Sequence, residues 1–416
     1  MGGMCHMDNG DARRSPSSDA GSDAAVDADA AVGSAAVGAG PAAGLEDCYA
    51  IIPAGGVGSR LWPLSRGDRP KYLFDLLGQG RTLIQSTYDR VSALFGAGHI
   101  SMVVGARHVD PILEQLPELP AGSVIAEPVA RDSGPAIALA AAIIARRHGP
   151  DAIVASFAAD QVIHGLDGFG RSVREAAAVA RAGYVATIGI AASRPSTAFG
   201  YIRQGESLAR LIDGAPSARM VERFVEKPDA VTAQRYLATG EYRWNAGMFV
   251  MRADVLLRWL RDTRPHMYET VSRIAEARVD SHGEMDEVIA GLWPGVEKIA
   301  FDYAVAEPMS LQGGVAVVSG DFGWDDVGDF SSVATLLPGS ASGNIRILGD
   351  HGNVVALDCA QDVVVSRGGR VVALLGVDDL IVADTPDALM VAPRARSQDV
   401  RRLVDFLRAR GHGDVL

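Results

Sequence analysis

From residue 48 onward, short apolar runs alternate with longer segments that fit amphipathic or buried helices. The runs that fit strands are CYAIIPA (48–54), ISMVVGA (100–106), SVIAEP (123–128), AIVASFAAD (152–160) and YVATIGIA (184–191). The segments that fit helices are TLIQSTYDRVSALF (82–95), GPAIALAAAIIARRHG (134–149) and FGRSVREAAAVARAG (169–183). Buried strands joined by helices are typical of crossover connections in a parallel sheet. The sequence therefore predicts an α/β protein with a Rossmann-like, mainly parallel or mixed sheet flanked by helices. Its ligands are expected beyond the carboxyl ends of the strands.

Changes in composition predict three parts of the chain. Residues 1–47 are rich in Ala, Gly, Ser and Asp and lack aromatic residues, so they cannot bury enough surface to offset ordering entropy. They are predicted to be a disordered tail, followed by one large domain over 48–337. Residues 338–416 predict a small β-rich module that ends in the helix SQDVRRLVDFLRAR, with Ser397 as a plausible N-cap. A β-helix fragment is an alternative for this module that its irregular spacing leaves open.

Charge and cysteine usage exclude several classes of protein. The 416 residues carry a formal net charge of −12, which argues against a nucleic-acid partner bound by phosphate neutralisation. Cys5, Cys48 and Cys359 are too scattered for a zinc site or a disulfide framework. The sequence shows neither a membrane-length apolar run nor the order of a signal peptide. We therefore expect a cytoplasmic protein with no membrane partner.

The stretch IIPAGGVGSRLWPLSRGDRPKYL, residues 51–73, contains a glycine-rich turn followed by Arg60 and Lys71. It lacks the Gly-Lys-Ser/Thr of a Walker A loop, and Leu61 stands where a dinucleotide fingerprint has its third glycine. Main-chain N–H groups in such a turn can face an anion. Arg60 and Lys71 would add a multi-donor cation and a compact point charge. An ordinary turn with solvated cations is the alternative for the glycines alone.

Two aspartates follow apolar runs from separate parts of the chain. Asp160 comes at the end of the run 152–160, and Asp326 lies in a glycine-bounded turn after VAVVSG. Two carboxylates that leave room for water and phosphate oxygens suit octahedral Mg²⁺. Either residue alone is more often a turn or cap residue.

The pattern Gly-Gly-x-Gly-x-Arg-Leu-x-Pro-Leu…Pro-Lys resembles the signature of the sugar-nucleotide pyrophosphorylases. Further motifs of that family occur in order: Glu127-Pro128, Arg131-Asp132, Ala159-Asp160, FVEKP (224–228), WNAGMF (244–249), DYAV (302–305) and WDDVG (324–328). As a set over residues 48–416 they resemble the bacterial mannose-1-phosphate guanylyltransferase branch. The resemblance implies the nucleotidyltransferase fold for residues 48–337 and Mg²⁺-dependent transfer of GMP from GTP to mannose 1-phosphate.

The resemblance also implies roles for individual residues. Arg60 and Lys71 would act on the leaving pyrophosphate, and Asp160 and Asp326 would hold the metal. The nucleotide-binding residues would be Ala54, Gly55, Gly56, Gly58, Ser59, Glu127, Pro128 and Arg131, and the residues for the sugar phosphate Gly200, Glu226, Lys227 and Asn245. Many relatives have His after the first metal Asp. Gln161 stands there in this chain, so no role of that His is carried over.

The choice of base and sugar leaves alternatives. A carboxylate at Glu127 can accept from both N1–H and N2–H₂ of guanine, but Glu127 could instead pair with Arg131. The nearest rival is the same reaction with UTP or dTTP and glucose 1-phosphate. A non-catalytic sugar-nucleotide-binding regulator is a second rival, against which the retained Asp160 and Asp326 argue. By family analogy the C-terminal module would serve a homodimer.

Overall fold

The fold begins before the predicted domain boundary at residue 48. The structure, a computed structural model, describes residues 40–280, 285–339 and 343–416, so most of the predicted tail lies outside the described residues. Leu45, which the sequence analysis assigned to that tail, is completely buried. Asp47 accepts a hydrogen bond from Arg181 Nε at 3.0 Å. Residues 42–44 are also hydrogen-bonded to Leu94, Arg174 and Arg181, so the chain is held against the domain before residue 48.

A mixed sheet built around the first predicted strand organises the large domain. Its strands and those of a small ribbon are β1 (Cys48–Ala54), β2 (Ile100–Gly105), β3 (Val124–Glu127), β4 (Ile153–Ser156), β5 (Val162–Ile163), β6 (Val185–Ala191), β7 (Tyr201–Ser207), β8 (Arg219–Val225), β9 (Tyr242–Arg252), β10 (Val315–Gly320) and β11 (Trp324–Asp325). In the described chain, nine of them form one sheet in the order β3-β2-β1-β4-β9-β6-β10-β8-β7. β1 is parallel to β2 and β4, and β3 is parallel to β2, so the ends of β1, β3 and β4 share one edge. β9 is antiparallel to both β4 and β6. The predicted fold class is confirmed.

Helices cover both faces of the sheet because alternate strand residues point to opposite sides. In the described chain up to residue 336 they are α1 (Leu83–Phe95), α2 (Val109–Gln115), α3 (Ser133–His148), α4 (Leu166–Arg181), α5 (Ala230–Thr239), α6 (Ala253–Thr263), α7 (Pro265–Asp280), α8 (Met285–Leu292), α9 (Glu307–Ser310) and α10 (Phe330–Leu336). Within β1, Ala50 and Ile52 pack in the core that contains α1 and α4, whereas Ile51 packs in the core that contains α3, α6 and α7. No helix of the described residues is long and apolar enough to span a membrane.

The C-terminal module is a small parallel β-helix with an antiparallel last strand. Its strands are β12 (Arg346–Gly349), β13 (Val354–Leu357), β14 (Val363–Ser366), β15 (Val372–Leu375), β16 (Leu380–Asp384) and β17 (Leu389–Pro393), and its helix is α11 (Val400–Ala409). Arg346 lies in register with Val363, and Val363 with Ile381, so one coil takes 17 or 18 residues. The alternative that the sequence left open is therefore the observed one. The predicted cap is wrong: Ser397 lies inside a 3₁₀ turn, and α11 begins after Asp399.

Candidate active site

The glycine-rich loop follows β1 and lies against the side chain of Lys71. Gly56 and Gly58 adopt φ of 85° and 74°, in the left-handed region that glycine populates without strain. A Cβ atom at Gly58 would lie 2.9 Å from both Cβ and Cγ of Lys71, so a larger residue would collide with that side chain. Ser65 Oγ donates to the carbonyl of Gly58 at 2.5 Å and fixes the loop from the other side. The glycine signature thus serves close packing of the loop on Lys71.

Lys71 joins the two predicted metal ligands. Its Nζ lies 3.0 Å from Asp160 Oδ2. It also donates to the carbonyls of Asp326 at 2.9 Å and Val327 at 3.2 Å. These contacts occupy the three donors of an ammonium group. The predicted contact of Lys71 with the leaving pyrophosphate therefore requires one of these three bonds to break.

A two-stranded ribbon brings Asp160 and Asp326 to the same place. β11 pairs antiparallel with β5, with Asp325 opposite Val162. The sequence placed Asp160 at the end of a strand, but β4 ends at Ser156 and Asp160 lies in the turn before β5. The apolar run continues past the strand because the turn itself is buried in the core.

The carboxylates of Asp160 and Asp326 are chemically suited to a divalent cation. Burial raises the pKa of Asp326 to about 6, a rise that Lys71 opposes and that Asp325 and Asp160 increase. Mutual repulsion of this kind is relieved when a cation binds between carboxylates. Within the described residues no group of three or more His, Cys, Asp or Glu could hold a metal. Two carboxylates that leave positions open for water and phosphate fit Mg²⁺.

A cavity of about 950 Å³ opens beside the loop and the carboxylates. Of the predicted site residues it is lined by Gly56, Gly58, Ser59, Arg60, Lys71, Asp160 and Asp326. Its wall also contains cations that the sequence analysis did not assign: Arg66, Arg107, Lys298, Arg401 and Arg408. They come from distant segments, and no sequence motif groups them. Ala54 is buried at the end of β1, and Gly55 and Pro128 are exposed beside the predicted nucleotide-binding positions.

Glu127 ends β3 as a buried carboxylate with one free oxygen. It is 4% exposed, and its Oε1 has no hydrogen-bond partner among the described residues. Burial raises its pKa to about 7, against the effect of a hydrogen bond from the main chain of Arg131. The Arg131 guanidinium donates instead to the carbonyl of Pro294. The alternative in which Glu127 is consumed by an ion pair with Arg131 is therefore not observed.

Glu226 and Lys227, at the end of β8, form a pair beside Gly200. Lys227 Nζ contacts Glu226 Oε1, while Glu226 Oε2 is buried without a partner among the described residues. A Cβ atom at Gly200 would lie 2.4 Å from that Oε2. Glycine at this position therefore leaves room for the buried Glu226 carboxylate, which any larger residue would displace.

Asn245 is held in one orientation next to this pair. Its Oδ1 accepts from Thr187 Oγ1 at 2.9 Å and from the main-chain N–H of Gly247 at 3.1 Å. Its Nδ2 donates to Asp302 Oδ1 at 2.7 Å. Burial and the neighbouring Glu226 raise the pKa of Asp302 well above 3.8. The DYAV motif contains Asp302, but its position on a five-residue π-helical turn beside Asn245 is not visible in a linear pattern.

Gln161 connects the carboxylate turn to this second cluster. Its Nε2 donates to the carbonyl of Ala246 at 2.8 Å. Asp160 directly precedes Gln161, and Asn245 directly precedes Ala246. The two clusters are therefore neighbours across this hydrogen bond. Gln161, which stands where many relatives have His, therefore links these two segments of the chain.

Together these features define a class of protein. A parallel strand–loop unit with a cation-rich cavity, a carboxylate pair and an adjoining cluster of polar side chains is typical of an α/β site for phosphorylated ligands. Residues 49–340 match the family described as Nucleotidyl transferase, and residues 352–407 match the MannoseP isomerase/GMP-like beta-helix domain. The chain belongs to the nucleotidyl transferase family, so it is an enzyme of nucleotidyl transfer.

Individual relatives narrow the similarity. The chain is 38% identical over 367 residues to the mannose-1-phosphate guanylyltransferase of Escherichia coli K12, covering 87% of this chain and 74% of that protein. It is 37% identical to the Klebsiella pneumoniae protein of the same name, covering 86% and 73%. A crystal structure from Thermus thermophilus, named mannose-1-phosphate geranyltransferase, matches with a TM-score of 0.73 at 31% identity, covering 87% of this chain and 99% of that one. The predicted family and enzyme type are confirmed.

Proposed function

We propose that this chain transfers GMP from GTP to mannose 1-phosphate, forming GDP-mannose and pyrophosphate with Mg²⁺. The observation that carries the proposal is the hydrogen bond from Gln161 to Ala246, which sets the Asp160 turn beside the polar cluster around Asn245. Nucleotidyl transfer needs this adjacency, because the acceptor phosphate must reach the phosphorus that the metal site holds. The names of the relatives support guanine and mannose as the substrates.

The free Oε1 of Glu127 supports guanine in particular. Guanine carries two adjacent donors, N1–H and N2–H₂, which one ionised carboxylate can accept together. Uracil and thymine do not present that pair of donors. A buried acceptor without a partner costs free energy in the empty protein, and guanine would recover it on binding.

The reaction needs no general base. The second pKa of a phosphate monoester is about 6, so mannose 1-phosphate is already a dianion at pH 7. Its oxygen forms the new bond to the α-phosphorus of GTP while the bond from that phosphorus to the bridging oxygen breaks, releasing pyrophosphate. Lys227 would orient the acceptor phosphate, and Glu226 and Asn245 would bind sugar hydroxyls. Arg60 would neutralise the departing charge.

Asp160 and Asp326 would hold Mg²⁺, which when bound supplies charge neutralisation at the reacting phosphates. Lys71 would position both: its bonds to Asp160 and to the main chain at 326–327 keep the two segments together. A cytoplasmic location and a homodimer stay predictions.

Pyrophosphate release tests the proposal. The four nucleoside triphosphates are assayed with mannose, glucose and galactose 1-phosphates, with and without Mg²⁺. GTP with mannose 1-phosphate should give the highest kcat/KM. Preference for UTP or dTTP with glucose 1-phosphate would instead establish the rival transferase. Absence of Mg²⁺-dependent turnover with every pair would favour the regulatory protein.

A further inference from the structure

One face of the C-terminal helix α11 belongs to the wall of the active-site cavity. Arg401, Val404, Asp405 and Arg408 line the cavity. Their spacing of three, four and seven residues places them on one side of a helix. Other residues of the helix, such as Arg402 and Phe406, point away from this cavity and line a separate groove.

Hydrogen bonds between the C-terminal module and residues 51–73, the stretch that contains the glycine-rich turn, hold the module in place. Arg66 donates to both carboxylate oxygens of Asp387, each at 2.5 Å. Trp62 Nε1 donates to the carbonyl of Val415 at 2.7 Å. A bidentate Arg–carboxylate pair fixes orientation as well as distance. The position of α11 beside the loop is therefore specified by the fold.

The module is bonded to the other side of the cavity as well. Ser331, in the helix that follows Asp326, donates through Oγ to the carbonyl of Arg394 at 3.1 Å. Its Oγ also lies 3.0 Å from Ser397 Oγ. The C-terminal module thus connects the loop that precedes Lys71 with the segment that follows Asp326.

The cavity has a charge opposite to that of the whole chain. Seven Arg and Lys residues and four aspartates are among its described lining residues, in a chain of net charge −12. Lys71 cannot serve a further anion without breaking a bond, because its three donors are occupied. Arg66 is engaged by Asp387. A multiply charged anion in this cavity therefore needs other cations.

We propose that Arg401 and Arg408 bind the β- and γ-phosphates of the nucleoside triphosphate, and hence the pyrophosphate that leaves. The C-terminal module then forms part of the active site in addition to any role in assembly. Arg408 Nη1 lies 3.0 Å from Asp405 Oδ1, so this aspartate holds Arg408 at the cavity until phosphate competes for it. The inference rests on the proposed nucleotidyl transfer and does not depend on which base or sugar is used.

Titration calorimetry with Mg²⁺-pyrophosphate tests the inference in the full chain. Arg401→Gln and Arg408→Gln should each weaken pyrophosphate binding about tenfold, since each removes one charge-assisted hydrogen bond, and the double variant should lose more. Arg402→Gln is the matched control: it lies on the same helix, lines the other groove and pairs with Asp399 at 3.4 Å. It should bind pyrophosphate within about twofold of the wild type. Asp405→Asn should bind pyrophosphate more tightly, because Arg408 loses a competitor.

The KM for pyrophosphate in the reverse reaction should rise in parallel, with the KM for mannose 1-phosphate in the forward reaction unchanged. Wild-type affinity in the double variant, or equal weakening in Arg402→Gln, would overturn the inference. If the wild type transfers GMP to mannose 1-phosphate and the double variant is unaffected, only this inference fails. If pyrophosphate binding depends on both arginines but GTP and mannose 1-phosphate do not react, the proposed substrates fail and the inference stands.

Discussion

Glu127→Gln should remove most of the preference for guanine while leaving a folded and more stable protein. The ionised carboxylate can accept from N1–H and N2–H₂ together, whereas Gln offers one acceptor and turns an N–H₂ group toward the second guanine donor. Each charge-assisted hydrogen bond contributes about 1.5–3 kcal/mol, or roughly 10- to 150-fold in kcat/KM. We expect a loss of that size for GTP.

Inosine triphosphate, which lacks the 2-amino group, isolates the interaction. The wild type should prefer GTP over ITP by roughly 10- to 150-fold, and Glu127→Gln should reduce this ratio to within about threefold. The ratio cancels effects on Mg²⁺, on the sugar phosphate and on the amount of active enzyme. A GTP/ITP ratio in Glu127→Gln equal to that of the wild type would refute the assignment of Glu127 to the base.

Thermal unfolding across pH gives an independent check on the same residue. Burial raises the pKa of Glu127 from 4.5 to about 7. The folded state therefore binds this proton more tightly than the unfolded state, and stability is lost as pH rises from 4.5 through 7. The difference corresponds to roughly 3 kcal/mol above pH 7, a cost that Gln does not have. Glu127→Gln should unfold at a higher temperature than the wild type at about pH 8, with little difference at about pH 4.5. A lower Tm for the variant in the alkaline sample would contradict the burial argument.

Other substitutions test the remaining parts of the site. Lys71→Ala should lower kcat by about 10²–10³-fold, because it removes a buried cation from the carboxylates, and near-wild-type turnover in a folded variant would contradict this. Asp326→Asn should raise the Mg²⁺ concentration for half-maximal activity by more than about tenfold, as measured by metal titration; an unchanged value would place the metal elsewhere. Asp302→Asn should raise the KM for mannose 1-phosphate about tenfold at saturating GTP, since the charge-assisted bond that orients Asn245 is lost. A KM within about twofold of the wild type would give Asp302 a purely structural role.

The sequence predicted the elements whose pattern is local. The apolar run 48–54 became β1 with the same ends, because glycines bound it on one side and acidic residues on the other. The segment 82–95, predicted as a helix, forms α1, and Thr82 caps it in a capping box with Gln85 that the sequence analysis did not identify. The apolar run 152–160 predicts one strand, but the strand ends at Ser156, since burial alone does not distinguish a strand from a turn packed in the core.

Contacts between distant residues could not be predicted in this way. Arg66 and Asp387 are 321 positions apart, and neither stands in a pattern that identifies the other. The hydrogen bond between Asn245 and Asp302, which lies on a π-helical turn, could not be predicted from the sequence pattern either. Family motifs predict Asp160 and Asp326 as a pair, but only the folded structure shows Lys71 bonded to both segments.

The fate of the α-phosphate of GTP tests guanylyl transfer most directly. The chain is incubated with mannose 1-phosphate, Mg²⁺ and GTP labelled with ³²P at either the α or the γ position. Guanylyl transfer predicts that the α label appears only in GDP-mannose and the γ label only in pyrophosphate. Transfer of the γ label to the sugar, or release of the α label as free GMP without sugar nucleotide, would contradict it.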